Sequence, residues 1–211
     1  MSLEEGQLPR SVRTGIVSLI YKKGDAEDLK NRSPITLCNV DYKILTSVVK
    51  TRIISHMPDL IGSYQTCNIK GRSILDNLNF FREHFKDKFD GAVLSLDQEA
   101  AFDRVNRNFM FSVMKKCNFP PSILSAIKLV HNNGRVTVKF GVNLTDFIAV
   151  YVGVKQGDPV SSLLYVLSFE PFLRHVNQAL SPSTTLNPVP VVNVAAYAAD
   201  CQISYQDTER L

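Results

Sequence analysis

The sequence has no apolar run that approaches the roughly 20 residues needed to span a bilayer. Its first residues, Met-Ser-Leu-Glu-Glu-Gly-Gln, lack the basic and apolar regions of a secretory signal peptide. These absences argue against a membrane protein and against a secreted protein. We therefore expect an intracellular protein, either nuclear or cytoplasmic.

Patterns that bind zinc or form a disulfide framework are also missing. The chain has four cysteines and four histidines, and neither set has the spacing of metal ligands or of paired half-cystines. Widely separated cysteines are typical of free thiols in a reducing compartment, and a zinc site is not expected. The cysteines are Cys38, Cys67, Cys117 and Cys201.

What the sequence does contain is typical of a folded globular protein, with 45% hydrophobic and 21% charged residues over 211 positions. The formal net charge is only +4, but positive charge is concentrated in the first third of the chain. Such an excess is more often a solvated surface than a surface that follows phosphates, and both interpretations stay open. The basic residues are Lys22, Lys23, Lys30, Arg32, Lys43, Lys50, Arg52, Lys70 and Arg72.

The order of predicted elements favours an α+β fold, with helices packed on one face of a mainly antiparallel sheet. Residues Thr14 to Tyr21 alternate as a strand does, and the following segment up to Val40 is predicted as a loop because Pro34 interrupts it. A helix is predicted from Asp41 onward. Its apolar stripe, expected to face the core, consists of Ile44, Val48, Ile53 and Met57.

A second helix is predicted to begin after Ser73, which forms a capping-box pattern with Asp76. Arg72 lies just before this helix N-terminus. Backbone amides and a guanidinium that converge there would suit a phosphate, although an arginine beside a cap is more commonly a surface residue. The residues expected to face inward are Leu78, Phe81 and Phe85.

Two carboxylates stand at predicted strand ends far apart in the chain. Asp97 follows the apolar run of residues 92–94, which is typical of a half-buried strand, and Asp200 ends the turn of residues 197–200 between two apolar segments. An isolated aspartate of this kind is more often simply solvated. Neighbouring strands that each present a carboxylate at one end can share a divalent cation, as metal-assisted phosphoryl chemistry requires.

A glycine-bracketed loop, Gly153 to Pro159, precedes a long helix that is predicted from Leu163 to Val176. A glycine loop that leads into a helix can bring the backbone close to a ligand or a phosphate. Alone this is a weak signal, because turns use glycine everywhere.

Taken together, these motifs resemble the ordered palm motifs of reverse transcriptases: Asp97 with Phe102 five residues on, the 153–159 loop, and the turn that ends in Asp200. Upstream, residues 18–34, 40–52 and 65–77 are similar to the fingers of the enzymes of non-LTR (LINE-type) retrotransposons. The similarity runs from about Gly6 to Tyr205. It implies the fingers and palm of a right-hand polymerase, with a fingers-like region over residues 1–90 and a palm with the catalytic hairpin over residues 91–211.

The resemblance also implies a reaction. Nucleotidyl transfer in this family uses two divalent metals roughly 3.5 to 4 Å apart, and carboxylates hold them. Asp97 and Asp200 match the catalytic and metal-binding positions for Mg²⁺ or Mn²⁺. The implied partners are an RNA template, a DNA primer or RNA–DNA hybrid, and deoxynucleoside triphosphates.

Further residues receive substrate-binding roles from the same resemblance. In the family, the aromatic residue that corresponds to Phe102 packs under the sugar of the incoming nucleotide and excludes a 2'-hydroxyl. Gln156 and Gly157 match positions that line the nucleotide and template pocket. Arg72 matches a plausible contact to the triphosphate.

The sequence departs from the family pattern at positions that matter for the reaction. The family's turn reads Tyr-Ala-Asp-Asp, and Ala199 stands where its first aspartate would be. Ala100 replaces a common lysine, Asp158 replaces a small or apolar residue, and residues 31–34 read Asn-Arg-Ser-Pro instead of Asn-Trp-Arg-Pro. Because the chain ends at Leu211, just past the catalytic hairpin, no thumb is expected.

The favoured hypothesis is a LINE-type reverse transcriptase domain whose catalysis is lost or strongly impaired. A working polymerase would need Asp97, Asp200 and either Glu99 or Asp103 to hold both ions. A nucleic-acid-binding remnant without catalysis and a non-functional relic are the remaining alternatives.

Overall fold

In the computed structural model, which describes residues 7–85, 91–179 and 191–206, the chain forms two units that each contain a β-sheet. The first unit comprises residues 1–53 and 102–164, and the second comprises residues 54–101 and 165–211. Within the described residues, no helix is both long enough and apolar enough to cross a membrane. All four cysteines are free.

The described residues contain both helices and mainly antiparallel strands, as in an α+β fold. The helices are α1 (Arg10–Arg13), α2 (Val40–Ile54), α3 (Met57–Leu60), α4 (Ile74–His84), α5 (Arg107–Lys116), α6 (Pro121–His131) and α7 (Ser161–Ala179). The strands are β1 (Thr14–Tyr21), β2 (Arg32–Cys38), β3 (Gly91–Leu96), β4 (Arg135–Phe140), β5 (Asn143–Leu144), β6 (Ile148–Ala149), β7 (Val191–Tyr197) and β8 (Asp200–Gln206).

The sheet of the first unit is built around β1, whose bounds are those predicted. Strand β1 pairs antiparallel with β2 and parallel with β4, and β5 and β6 both pair with β4. The predicted loop before Val40 is wrong over Arg32–Cys38, because β2 occupies these residues and pairs Pro34 with Leu19. Proline cannot donate to a ladder, but it is tolerated on an edge strand, and β2 lies at the edge of this sheet.

The stripe predicted to face the core is confirmed for Ile53 of α2 and for Met57, which lies in α3, and is wrong for Ile44 and Val48. Ile44 and Val48 are 59% and 46% exposed. Tyr42 takes the central place instead: its ring packs with Val12 and Val130. The buried face of α2 is therefore the one that includes Tyr42. The buried residues of α2 are Tyr42, Thr46, Val49 and Ile53.

The sheet of the second unit is three-stranded and antiparallel, in the order β3-β8-β7. Leu173 of α7 packs against Val194, Ala196 and Cys201, so a helix covers one face of the sheet, as predicted. The burial predicted for β3 is wrong, because its residues from Gly91 to Ser95 are exposed.

Helix α4 begins where the capping-box pattern predicted. The Ser73 hydroxyl accepts the N–H of Leu75, and the Ser73 N–H donates to the Asp76 carboxylate at 2.6 Å. Two orphan amides at the helix start are thereby satisfied. The predicted inward face is wrong for Leu78 and Phe85, which are 56% and 36% exposed.

Two isoleucines of α2 test this assignment of faces. Ile53 is 3% exposed and Ile44 is 59% exposed. We expect Ile53→Ala to lower the free energy of unfolding by about 2 to 4 kcal/mol, because it leaves a cavity. The matched change Ile44→Ala should cost less than about 1 kcal/mol. Urea unfolding of both variants measures the two values, and a larger loss for Ile44→Ala would contradict the observed faces.

Candidate active site

Asp97 and Asp200 lie at the same end of the sheet in the second unit. Strand β3 ends at Leu96, which pairs with Cys201, and β8 begins at Asp200. Continuing this antiparallel register by one residue sets Asp97 opposite Asp200. Residues directly opposite in such a pair have Cβ atoms about 4.5 to 5.5 Å apart, so the two carboxylates fall within reach of a single cation.

The face on which the carboxylates lie follows from strand alternation. Cys201 belongs to the buried cluster of the second unit, and Leu96 packs against that cluster. Side chains alternate between the two faces of a strand, so the adjacent positions Asp97 and Asp200 belong to the open face, and both are exposed. Both carboxylates are therefore accessible to water.

Tyr165 of α7 lies close to both carboxylates and was not predicted from the sequence. Its side chain is 2% exposed, and its hydroxyl donates to the side-chain oxygen of Gln98. Burial raises the pKa of this hydroxyl, and the negative charges of Asp200 and Asp97 raise it further. Tyr165 is therefore a neutral hydrogen-bond donor at neutral pH, and no periodic pattern in the sequence indicated that role.

The turn that precedes Asp200 contains only two residues. Tyr197 pairs with Asp200, which leaves Ala198 and Ala199 as the loop between β7 and β8. Ala198 has a φ of +53°, in the left-handed region. This conformation costs a residue with a side chain roughly 1 to 2 kcal/mol, so the surrounding contacts must stabilise it.

Gln65 supplies such contacts to the turn. Its side chain is fully buried, and its Oε1 accepts the N–H groups of Ala198 and Cys67, each at 3.0 Å. Its Nε2 donates to the carbonyl of Ala198 at 3.2 Å. The amide of Gln65 thus satisfies both backbone groups of the strained turn residue.

Arg72 stabilises the backbone of the segment before it, a role that the sequence did not predict. Both terminal nitrogens of its guanidinium donate to backbone carbonyls of the segment that leads to Gln65, and this holds the segment in a closed loop. The predicted contact between Arg72 and a triphosphate stays a prediction, and it would compete with these bonds. The acceptors are the carbonyls of Pro58, Ile61, Gly62 and Gln65.

In the first unit, the segments that carry Phe102 and Gln156 are joined through their backbones. The Phe102 carbonyl accepts the N–H of Val154 at 2.8 Å, and the Gln156 carbonyl accepts the N–H of Thr36 at 2.8 Å. Phe102 is half-buried. The first bond brings Phe102 to Val154, two residues before Gln156, and the second joins Gln156 to β2. The position of Phe102 beside Asp97 stays a prediction.

The glycines of the 153–159 loop are explained by close backbone contacts. Gly157 has a φ of +108°, and a Cβ there would lie 2.7 Å from the carbonyl oxygen of Thr36. Gly153 has a φ of +76°, and a Cβ there would lie 2.5 Å from the carbonyl oxygen of Asp103. A larger residue at either position would push these segments apart. The role of Gly157 in a nucleotide pocket stays a prediction.

Asp158, one of the departures from the family pattern, is part of a buried polar cluster. Its carboxylate accepts the Tyr42 hydroxyl at 3.1 Å and the Ser161 hydroxyl at 3.3 Å. The ammonium of Lys155 lies 4.2 Å from the centroid of the Tyr42 ring. Burial raises the pKa of Tyr42 and lowers the pKa of Lys155. Asp158 therefore has a packing role that the sequence did not indicate.

The carboxylates present fit one divalent ion better than two. Among the described residues, no three histidine, cysteine, aspartate or glutamate side chains are grouped so that they could hold a metal. Asp97 and Asp200 together supply two negative charges, and Mg²⁺ is often held by one or two carboxylates while it keeps several waters. Two divalent ions would carry four positive charges, and the two carboxylates would offset only half of them.

Solved structures define the class of fold to which the chain belongs. A telomerase from Candida tropicalis in complex with a fragment of telomeric RNA matches 97% of this chain and 38% of its own, with a TM-score of 0.68 at 14% identity. A Candida albicans telomerase matches 96% of this chain and 40% of its own, with a TM-score of 0.63 at 12% identity. The fold is that of a right-hand polymerase.

Sequence comparison gives the family. Residues 20–211 match the family described as reverse transcriptase (RNA-dependent DNA polymerase), and the chain belongs to that family. It is 35% identical over 210 residues to a transposon TX1 uncharacterized 149 kDa protein of Xenopus laevis. It is 24% identical over 180 residues to a Pol polyprotein of the type-1 retrotransposable element R2 from Nasonia vitripennis.

These relatives confirm the resemblance to LINE-type retrotransposon enzymes. The matched regions cover 98% and 83% of this chain. They cover only 16% and 17% of the two retrotransposon proteins, so the chain spans a small part of their length. Enzymes of this family use divalent metal ions.

The strained turn can be tested without any substrate. We expect Ala198→Gly to raise the free energy of unfolding by about 0.5 to 1 kcal/mol, because glycine adopts a positive φ without steric cost. The matched change Ala199→Gly, at a residue without positive φ, should lower it by about the same amount. Urea unfolding measures both, and changes of the same sign would contradict the turn geometry.

Proposed function

We propose that the chain is the fingers-and-palm part of an RNA-directed DNA polymerase of a LINE-type retrotransposon, and that its catalysis is lost or strongly impaired. The single observation that carries this proposal is the register of β3 and β8, which sets Asp97 opposite Asp200 beside a turn that contains Ala199. The proposed fingers-like region covers residues 1–90, and the proposed palm covers residues 91–211.

The proposed substrates are deoxynucleoside triphosphates on an RNA template with a DNA primer. Divalent ions, Mg²⁺ or Mn²⁺, would lower the pKa of the primer 3'-hydroxyl and offset the charge of the triphosphate. Asp97 and Asp200 would hold the ion from the open face of the sheet. Phe102 would exclude a 2'-hydroxyl, and Gln156 and Gly157 would line the nucleotide pocket.

The argument for impairment rests on charge. Alanine at position 199 offers no oxygen to a metal, and a water in its place brings no negative charge. At an effective dielectric near that of water, a carboxylate about 4 Å from a divalent ion contributes roughly 2 kcal/mol of attraction. Without this contribution, two ions cannot be held close together at the end of β3 and β8.

A second function, nucleic-acid binding without catalysis, is favoured by the exposed basic residues of the first unit. Lys22, Lys23 and Lys30 are all exposed. Phosphate contacts require only accessible positive charge, so they do not depend on residue 199. Binding and synthesis are therefore separate properties that can be measured one by one.

Restoring the missing carboxylate tests the metal site. We expect Ala199→Asp to bind Mg²⁺ and Mn²⁺ roughly tenfold more tightly than the unchanged chain, because about 1.4 kcal/mol of added attraction is a factor of ten in affinity. The matched control is Ala199→Asn, which has nearly the same shape without the charge and should bind like the unchanged chain. Calorimetric titration measures the affinities, with primer extension on RNA alongside.

Two outcomes would contradict the proposal. If Ala199→Asp and Ala199→Asn bind Mn²⁺ equally, the metal site has been assigned to the wrong residues. If the unchanged chain extends a DNA primer on RNA, catalysis is not impaired. Binding of RNA by a chain that does not extend a primer supports the second function.

Salt dependence tests the phosphate contacts. We expect weak RNA binding whose affinity falls with salt, with a slope of log K against log salt concentration of about −2 to −3 for a few contacted phosphates. Replacing Lys22 and Lys23 by alanine should make this slope shallower by up to roughly 1.5. The control replaces Lys115 and Lys116, an exposed pair at the end of α5, and should leave the slope unchanged. Affinity that does not vary with salt would exclude a phosphate-binding surface.

A further inference from the structure

The turn between β7 and β8 is held by a side chain that is distant in sequence. Gln65 precedes Ala198 by 133 positions, yet its amide bonds to both the N–H and the carbonyl of that residue. A two-residue hairpin loop leaves these backbone groups outside the strand ladder, so another partner must satisfy them. A primary amide is suited to the task because it offers one acceptor and one donor side by side.

The amide of Gln65 is itself fixed in place. Its Oε1 also accepts the N–H of Cys67, and the backbone carbonyl of Gln65 accepts a bond from Arg72 at 3.0 Å. The side chain has no exposed surface, so it cannot rotate into water. Gln65 therefore offers the turn a rigid partner.

The side chains of Thr66 and Asn77 bond to the strand that leads to the turn. The Thr66 hydroxyl and the Asn77 amide both donate to the carbonyl of Ala196, at 3.3 and 3.0 Å. Ala196 lies within β7 and pairs with Cys201. Loss of either bond would weaken the strand without releasing Ala198.

We infer that Gln65 is the positioning residue for the metal-binding turn: it fixes the left-handed backbone of Ala198 so that position 199 and Asp200 are presented toward Asp97. The inference rests on the proposed function, because metal binding by this turn is part of that proposal. Gln65 itself touches no substrate. It acts through Ala198, whose backbone sets where the next two side chains begin.

Amide hydrogen exchange tests the inference without any metal. In the chain that keeps Ala199, Gln65→Met should speed the exchange of the Ala198 N–H by roughly five- to tenfold, because that is the effect of losing one hydrogen bond. The exchange of the Ile203 N–H within β8 should stay the same. Thr66→Val is the matched control and should leave Ala198 unaffected. If Gln65→Met does not fold, Gln65→Asn serves instead, because it keeps the amide but withdraws it by one methylene.

Metal binding then separates positioning from stability alone. In the Ala199→Asp background, Gln65→Met should weaken Mn²⁺ binding by roughly ten- to a hundredfold, as is typical when a partner that orients a ligand is lost. Thr66→Val in the same background should leave Mn²⁺ affinity unchanged, although both variants lower the free energy of unfolding.

The outcomes distinguish the two hypotheses. Unchanged Ala198 exchange in Gln65→Met or Gln65→Asn overturns the inference. Faster exchange with equal losses of Mn²⁺ affinity in Gln65→Met and Thr66→Val also overturns it, since Gln65 would then contribute only stability. If Ala199→Asp gains no Mn²⁺ affinity, the proposed metal site fails, and the exchange measurement alone decides whether Gln65 positions the turn.

Discussion

The pairing of Leu96 with Cys201 is the constraint on which the candidate site depends. Both residues face the buried cluster that includes Leu173, and that burial sets the register of β3 against β8. A slip of one residue would turn the core-facing side chains to solvent, which makes the register costly to change. Because the register is held, Asp97 and Asp200 lie opposite each other on the open face. The placement of the two carboxylates at the end of the sheet is thus a consequence of packing on its other face.

Buried and half-buried polar groups complete the framework in each unit. In the second unit, Arg72 closes the loop that carries Gln65, and Gln65 holds Ala198. In the first unit, Asp158 accepts the hydroxyl of Tyr42. Such groups are costly to bury unless their bonds are made, so each of them specifies one arrangement of the chain segments that it joins. Within each unit, these hydrogen bonds therefore specify the chain path together with the apolar core.

Folding and catalysis make different demands on the turn. The hairpin needs two residues that can close β7 onto β8, and alanine satisfies this at position 199. The metal site that we propose would need oxygen and negative charge at the same position, and alanine has neither. A member of the reverse transcriptase family can therefore keep the fold while it loses part of the site, as we propose for this chain. The accessible lysines of the first unit would be unaffected by that loss.

Motifs in the sequence predicted the family, β1, the cap of α4 and the strand-end location of Asp97 and Asp200, because each depends on residues close together in the chain. The sequence did not predict strand β2, because Pro34 interrupts the local strand pattern, whereas a position at the sheet edge makes this proline tolerable. The buried face of α2 was decided only by tertiary packing, in which Tyr42 contacts Val12 and Val130. The partners of Gln65 and Tyr165 were likewise decided by tertiary structure, since a hydrogen bond across 133 positions leaves no periodic signal in either segment. Local patterns thus determined which elements form, and long-range contacts determined which side chains meet.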